Sequence, residues 1–313
     1  MKPKQVLWIA AFAAVLYTGF AYWVITNFDI PPLHGTALAL VVLAAVCQIA
    51  AKWFFGLLFK ESIQEIGSDV KSYSAFKAAL VGAGVARLIP AGGAITPVAM
   101  SWTVRDEVPR STAGPGIRTV LLNYAGLLVL AGGGILLEAP QGAIPVFSTS
   151  LLVIAPILLI IGVLLMFGSG QLGRINRYLP RQIRKKLESS MVNHLPGWES
   201  QIYIWARLTL EAAAFWLVMT AFGVDVSVMM AITTYAASQL VGGLPGMPGG
   251  LGITEGALAL ILAAYGFPAA NTVPAIIVYR VISYWIPAGL GFLAGGSTFL
   301  RSPEAAKAAA DAG

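Results

Sequence analysis

Six apolar runs constrain this chain more than any other feature, because each is about as long as the 20 or so helical residues needed to cross the hydrocarbon of a bilayer. They lie at 6–25, 36–58, 119–137, 151–167, 202–222 and 272–294. Among 313 residues, 58% are apolar and 11% charged, against roughly 45–50% and about 25% in soluble domains, which excludes a soluble enzyme and a disordered protein. Lys2 and Lys4 precede the first run, but that run is too long for a signal peptide and no small-residue cleavage pattern follows, so a retained anchor is expected. The polar stretch 168–201 is too short to bury a core of its own. A net charge of +6 in so apolar a chain points to anionic membrane lipid rather than nucleic acid. The single cysteine, Cys47, sits within an apolar run and reads as a packing thiol.

Two further apolar stretches are interrupted. Residues 76–102 contain Pro90-Ala91-Gly92-Gly93, and residues 228–265 contain a glycine- and proline-rich run from Gly242 to Gly252. Proline removes an amide donor and glycine favours other conformations, so each stretch is expected to be two half-helices joined at a tip. At membrane depth such a tip must face protein or a watery cavity. Basic residues in short loops mark the cytoplasmic side. They occur at Lys2 and Lys4, at Lys60 and Lys71, at Arg105 and Arg110, through Arg174, Arg177, Arg181, Arg184, Lys185 and Lys186, and at Arg301 and Lys307, while 26–35, 138–150 and 223–227 carry none. All the basic clusters fall on one side only if both broken stretches are hairpins that enter and leave on a single face. The first hairpin then opens to the cytoplasm and the second to the exterior. The two halves of the chain become mirror images in topology, which is the sequence signature of a transporter whose site lies between repeats near the midplane.

Each tip precedes an expected helix start, with Thr96 as N-cap before Pro97 and Thr254 as N-cap before Glu255. Two helix N-termini with free amides favour an anion such as phosphate, and Gly92, Gly93, Gly249 and Gly250 allow close backbone approach. Charges inside membrane segments are costly and mark functional positions. Arg87 lies about 18 Å along its half-helix and Arg280 roughly 12 Å into the last span, the latter flanked by Tyr279, Ser283, Tyr284 and Trp285. Each arginine either binds phosphate oxygens through its guanidinium fork or pairs structurally. Glu255 either stabilises its helix N-terminus or pairs with Arg280 and carries a proton. Glu211 is a second candidate for proton coupling, with an internal pair to Arg207 one turn earlier as the plainer alternative. Lys52 is expected to snorkel toward the cytoplasmic end of its helix, Arg118 to lie at the interface, and Asn123 to face the cavity. The segment 174–198 alternates basic and apolar residues and reads either as an amphipathic surface helix on anionic lipid or as a solvated loop. His34 and His194 fall on opposite faces, so no metal site is expected. No catalytic triad, carboxylate pair or cofactor loop can be assembled, and the chain is not expected to be an enzyme or to need a cofactor.

The run Leu244-Pro245-Gly246-Met247-Pro248-Gly249-Gly250-Leu251-Gly252-Ile253-Thr254-Glu255, followed by an apolar helix and then Tyr279-Arg280 with Ser283-Tyr284-Trp285, resembles the flippase-like transmembrane region of lysylphosphatidylglycerol synthases and its stand-alone relatives. By that resemblance Glu255 and Arg280 match characteristic acidic and arginine positions, and the function implied is translocation of phospholipids or polyprenyl-phosphate-linked lipids across a prokaryotic plasma membrane. The first tip departs from the family pattern, with no acid or arginine after Pro90, and no aminoacyl-transferase domain is present in this sequence.

The expectation is therefore an all-α polytopic membrane protein with six transmembrane helices and two re-entrant helical hairpins in a 4+4 inverted repeat. Residues 1–145 form the first repeat with a cytoplasmic hairpin at 76–102, residues 146–300 the second with an exterior hairpin at 228–265, and 301–313 a short tail. Both termini are cytoplasmic. The phosphate of an anionic lipid is expected between the tips, contacted by Arg87, Gly92, Gly93, Thr96, Gly249, Gly250, Thr254, Glu255, Arg280 and Tyr284. The competing reading is a secondary transporter of a small water-soluble anion.

Overall fold

The structure is a computed structural model and describes residues 33–88, 92–108, 112–138, 148–167, 197–243 and 248–304, with scattered positions between 15 and 27. The expected span at 6–25 and the basic segment 174–198 fall almost wholly outside the described residues, as do the tip residues 89–91 and 244–247. Among those described there are nine helices and no strand: α1 (Thr36–Gln64), α2 (Ser72–Leu88), α3 (Gly92–Thr103), α4 (Ala113–Glu138), α5 (Ser148–Phe167), α6 (Trp198–Ala221), α7 (Val228–Gly242), α8 (Ile253–Ala264) and α9 (Ala269–Phe299). A short turn of 3₁₀ helix at Pro248–Gly250 precedes α8. Five helices, α1, α4, α5, α6 and α9, are long and apolar enough to cross a membrane, so the chain is a multi-pass membrane protein. The other four, at about 18–26 Å by their rise, are shorter than the roughly 30 Å of hydrocarbon.

The burial pattern is that of a protein solvated by lipid. Ile160, Leu164 and Leu293 point outward, while Lys52, Arg207, Glu211, Glu255 and Arg280 are buried. Since lipid tails are as apolar as these side chains, close backbone approach rather than hydrophobic burial holds such helices together. Between α4 and α5 a Cβ on Gly132 would lie 2.6 Å from the Ala155 carbonyl oxygen, and one on Gly162 2.8 Å from that of Ala125.

One set of packing relations occurs twice. α1 packs along α6; α2 packs on α3 and on α9, as α7 packs on α8 and on α4. Likewise α3 and α1 both touch α4, as α8 and α6 both touch α9. The ends of the short pairs meet. The Lys71 amide and the Ser74 hydroxyl both donate to Glu107, so the start of α2 lies beside the turn after α3. At the other end of α4, the hydroxyl of Tyr265, just past α8, donates to Glu138 at 2.5 Å.

Arg118 keeps its place near a helix end but is buried among side chains of other helices. It is buried near the start of α4, 2.5 Å from Glu65 and 3.5 Å from Glu61. Ser200 of α6 also donates to Glu61, so this cluster ties α1, α4 and α6 at one end. A single arginine shared by two carboxylates cannot compensate both. Burial, opposed by Arg118 and reinforced by Glu61, pushes Glu65 up to about 7 from its ordinary 4.5. The folded protein then binds more protons than the unfolded chain between about 4.5 and about 7, so stability falls as pH rises through that window. Thermal unfolding in detergent across this range is expected to show the decline, and Glu65→Gln to flatten it; an equal slope in the variant contradicts the assignment.

Candidate functional site

The described end of the second glycine-rich tip packs against the helices that flank the first. Gly249 and Gly250 adopt φ of 57° and 68°, a left-handed backbone that glycine alone enters without strain. This turn brings the Pro248–Gly250 segment against α2 and α3. A Cβ on Gly249 would lie 2.9 Å from the Arg87 Cα and 2.6 Å from the Tyr284 ring, so the backbones are as close as they can be. Beside them lies a cavity of about 610 Å³, lined among others by Lys52, Arg87, Arg207, Arg280, Asn123, Tyr124, Gln239 and Thr254. By helical rise Lys52 is about 18 Å from the C-terminal end of α1, and Arg207 about 14 Å from the start of α6. The cavity is therefore near mid-depth.

Two clusters, each built around one carboxylate, contain the four cations. In the first, α8 begins after Gly252, and Glu255 in its first turn accepts the Gly252 amide at 2.8 Å and Arg280 Nε at 2.7 Å. One carboxylate thus stabilises the helix N-terminus and pairs with the arginine. Glycine has no side chain, so only the glutamate half of a capping box forms. α9 widens into a π turn at Val281–Trp285, a device frequent at functional sites. Tyr284 in this turn lies between the two arginines, with Arg280 4.6 Å and Arg87 5.4 Å from its ring centre. Its hydroxyl donates to the Arg87 carbonyl at 2.8 Å. The Arg87 guanidinium donates to the carbonyls of Ala83 and Ser283, at 2.7 and 2.8 Å.

In the second cluster Glu211 of α6 accepts from Lys52 Nζ of α1 at 2.5 Å, from Arg207 at 3.3 Å and from the Tyr235 hydroxyl of α7. The Arg207 guanidinium lies 4.3 Å from the centre of the Phe55 ring. Its Nε and Nη1, and Nη2 of Arg280, are buried without a hydrogen-bond partner.

Of the expected contacts, Arg87, Gly93, Thr96, Gly249, Gly250, Thr254, Arg280 and Tyr284 line the cavity, as does Asn123. Glu255 stands one step behind, positioning Arg280, and Gly92 opens α3. Three expectations are corrected. Lys52 does not snorkel; it is 4% exposed, because the Glu211 carboxylate across the α1–α6 contact satisfies it more completely than a long reach to water. Thr96 does not cap a helix, since α3 starts at Gly92 and carries Thr96 and Pro97 within it. Thr254 likewise sits inside α8, whose N-cap is Gly252. In the second tip glycine supplies the turn, and both threonines face the cavity. Sequence reasoning missed Lys52, Arg207, Tyr124 and Gln239 as cavity residues. The available signal was that Lys52 and Glu211, on different helices, are charges of opposite sign far from any helix end. Among the described residues no group of three or more His, Cys, Asp or Glu side chains could hold a metal ion.

A family model described as the lysylphosphatidylglycerol synthase TM region matches residues 6–291. The chain belongs to this family. All residues named in the two clusters fall within the lysylphosphatidylglycerol synthase TM match. The chain is also similar to two UPF0104 membrane proteins of Methanothermobacter thermautotrophicus. One is 32% identical over 85 residues, 27% of this chain and 25% of that protein; the other is 34% identical over 82 residues, 26% and 25% respectively. The similarity thus spans about a quarter of the length of these curated relatives.

Stranding one member of a buried ion pair costs roughly 3–5 kcal/mol, whereas removing both costs far less. Glu211→Gln, which strands Lys52 and leaves Arg207 without its carboxylate, is expected to destabilise the protein by about that amount, and Glu211→Gln combined with Lys52→Met by less than the sum of the single changes. A double-mutant cycle of unfolding in detergent measures this; strictly additive losses would show that the pair is not coupled.

Proposed function

We propose that this chain moves an anionic lipid between the leaflets of a prokaryotic plasma membrane, with the phosphate head group held between the two tips. The observation that carries the reading is electrostatic. Four cations, Lys52, Arg87, Arg207 and Arg280, line a mid-depth cavity, and only Glu211 and Glu255 pair with them among the described residues. A site with unspent positive charge and unpartnered guanidinium donors, away from bulk water, favours an anion strongly. Leu121 supports a lipid over a small water-soluble anion, since it lines the cavity and is 45% exposed on the flank of α4, a path by which acyl chains can stay in hydrocarbon. No new covalent chemistry is required of the chain; it acts as a transporter rather than an enzyme.

In this reading the short pairs α2–α3 and α7–α8 are re-entrant hairpins of a 4+4 inverted repeat, the first opening to the cytoplasm and the second to the exterior. The twice-repeated packing and the adjacency of Lys71 and Ser74 to Glu107 support it. Rocking of one repeat against the other opens the site to each leaflet in turn. Both termini are cytoplasmic, the segment 174–198 binds anionic lipid on that side, and Glu255 or Glu211 carries any coupled proton.

Two measurements test this. In reconstituted vesicles carrying labelled phospholipid or polyprenyl-phosphate lipids, exchange between leaflets is expected to exceed that of empty vesicles, and Arg280→Ala or Glu255→Gln to reduce it by about tenfold or more. Exchange equal to empty vesicles across the lipid panel would sink the proposal. For topology, Asn271→Cys is expected to react with an impermeant thiol reagent on whole cells and Ser111→Cys, which lies outside the described residues, to stay protected. Labelling of Ser111→Cys from outside would overturn the hairpin arrangement.

A further inference from the structure

Resting on the lipid-transport reading, we infer that the head group taken by this site carries two or more negative charges, as a terminal phosphomonoester or a diphosphate does, rather than the single charge of a phosphodiester phospholipid. Charge balance is the first ground. With each group in its ordinary charge state, Lys52, Arg87, Arg207 and Arg280 meet only Glu211 and Glu255 among the described residues, which leaves two positive charges there without a carboxylate. Arg87 is the clearest case, because both its terminal nitrogens are bonded to backbone carbonyls. In a low-dielectric surround a monoanion would leave one of these charges uncompensated, while a dianion neutralises both.

Donor geometry is the second ground. Nε and Nη1 of Arg207 and Nη2 of Arg280 are buried and unpartnered, and the two arginines belong to different clusters on different helices. One guanidinium fork satisfies two oxygens of a single phosphate face. A second, independent arginine calls for further charged oxygens, which a phosphomonoester or a second phosphate supplies and a phosphodiester lacks. Gly249 and Gly250 add close backbone approach on one side, and Tyr284 lies against both the Arg87 and Arg280 guanidinium groups.

The test compares head-group charge at constant acyl chain. Purified protein in detergent is titrated with phosphatidic acid, phosphatidylglycerol and a short-chain polyprenyl diphosphate, and the same lipids are followed across reconstituted vesicles at a pH above the second phosphate ionisation near 6. Phosphatidic acid and polyprenyl diphosphate are expected to bind about tenfold or more tighter than phosphatidylglycerol. Arg87→Gln, which removes a charge without stranding a carboxylate, is expected to erase most of that preference, and Arg87→Lys to keep it. Equal binding of phosphatidic acid and phosphatidylglycerol by the wild type overturns the inference, whether or not the variants fold; so does an undiminished preference in a folded Arg87→Gln. Preference in binding with no exchange of any lipid leaves the charge inference standing and removes lipid transport. Glycerol 3-phosphate or inorganic pyrophosphate binding as tightly as the lipids identifies a soluble dianion as the source.

Discussion

A charge placed in hydrocarbon must find its countercharge within the protein, and the interior of this molecule is arranged around that requirement. The Lys52 and Glu211 pair joins α1 to α6, and Glu255 joins the first turn of α8 to Arg280 of α9. Because breaking a buried pair costs several kcal/mol, these contacts set which faces of four helices point inward. The small-residue crossings, such as Gly132 and Gly162 between α4 and α5, then determine how closely the remaining faces can pack.

The same requirement divides the molecule into ends and centre. At one end Arg118 is shared by Glu61 and Glu65, with Ser200 bonded to Glu61; at the other, Tyr265 bonds to Glu138. α4 is therefore held at both extremities by polar contacts between helices. The centre differs, since its polar groups are spread around open volume and several guanidinium nitrogens are unspent. Under the proposed rocking of two repeats, the two ends are where contacts must exchange and the centre is where the ligand replaces missing partners.

Much of this was legible in the chain. Apolar run length predicted α1, α4, α5, α6 and α9 with only their ends displaced, because a helix continues past the hydrocarbon wherever its backbone stays satisfied, as α1 does to Gln64 and α4 from Ala113. Glycine and proline marked both tips, and the cost of burying charge singled out Arg87 and Arg280. The N-cap assignment at Thr254 was displaced by Gly252, which enters the required backbone conformation more readily than a threonine, and Thr96 lies inside a helix that begins at Gly92. Lys52 was misplaced because a long cationic side chain reaches toward water by default, and only a carboxylate on another helix changes that balance.

The sequence alone determined a multi-pass, all-helical membrane chain with two glycine-broken segments and a small set of buried charges, since these follow from hydropathy, backbone chemistry and the thickness of a bilayer. It also carried enough pattern to indicate its family. The tertiary structure alone decided which charges are partners. Lys52 and Glu211 stand 159 positions apart in the chain, and Glu255 and Arg280 lie on successive helices. Electrostatic pairing depends on distance in space, and no local rule of sequence encodes which helices will lie side by side.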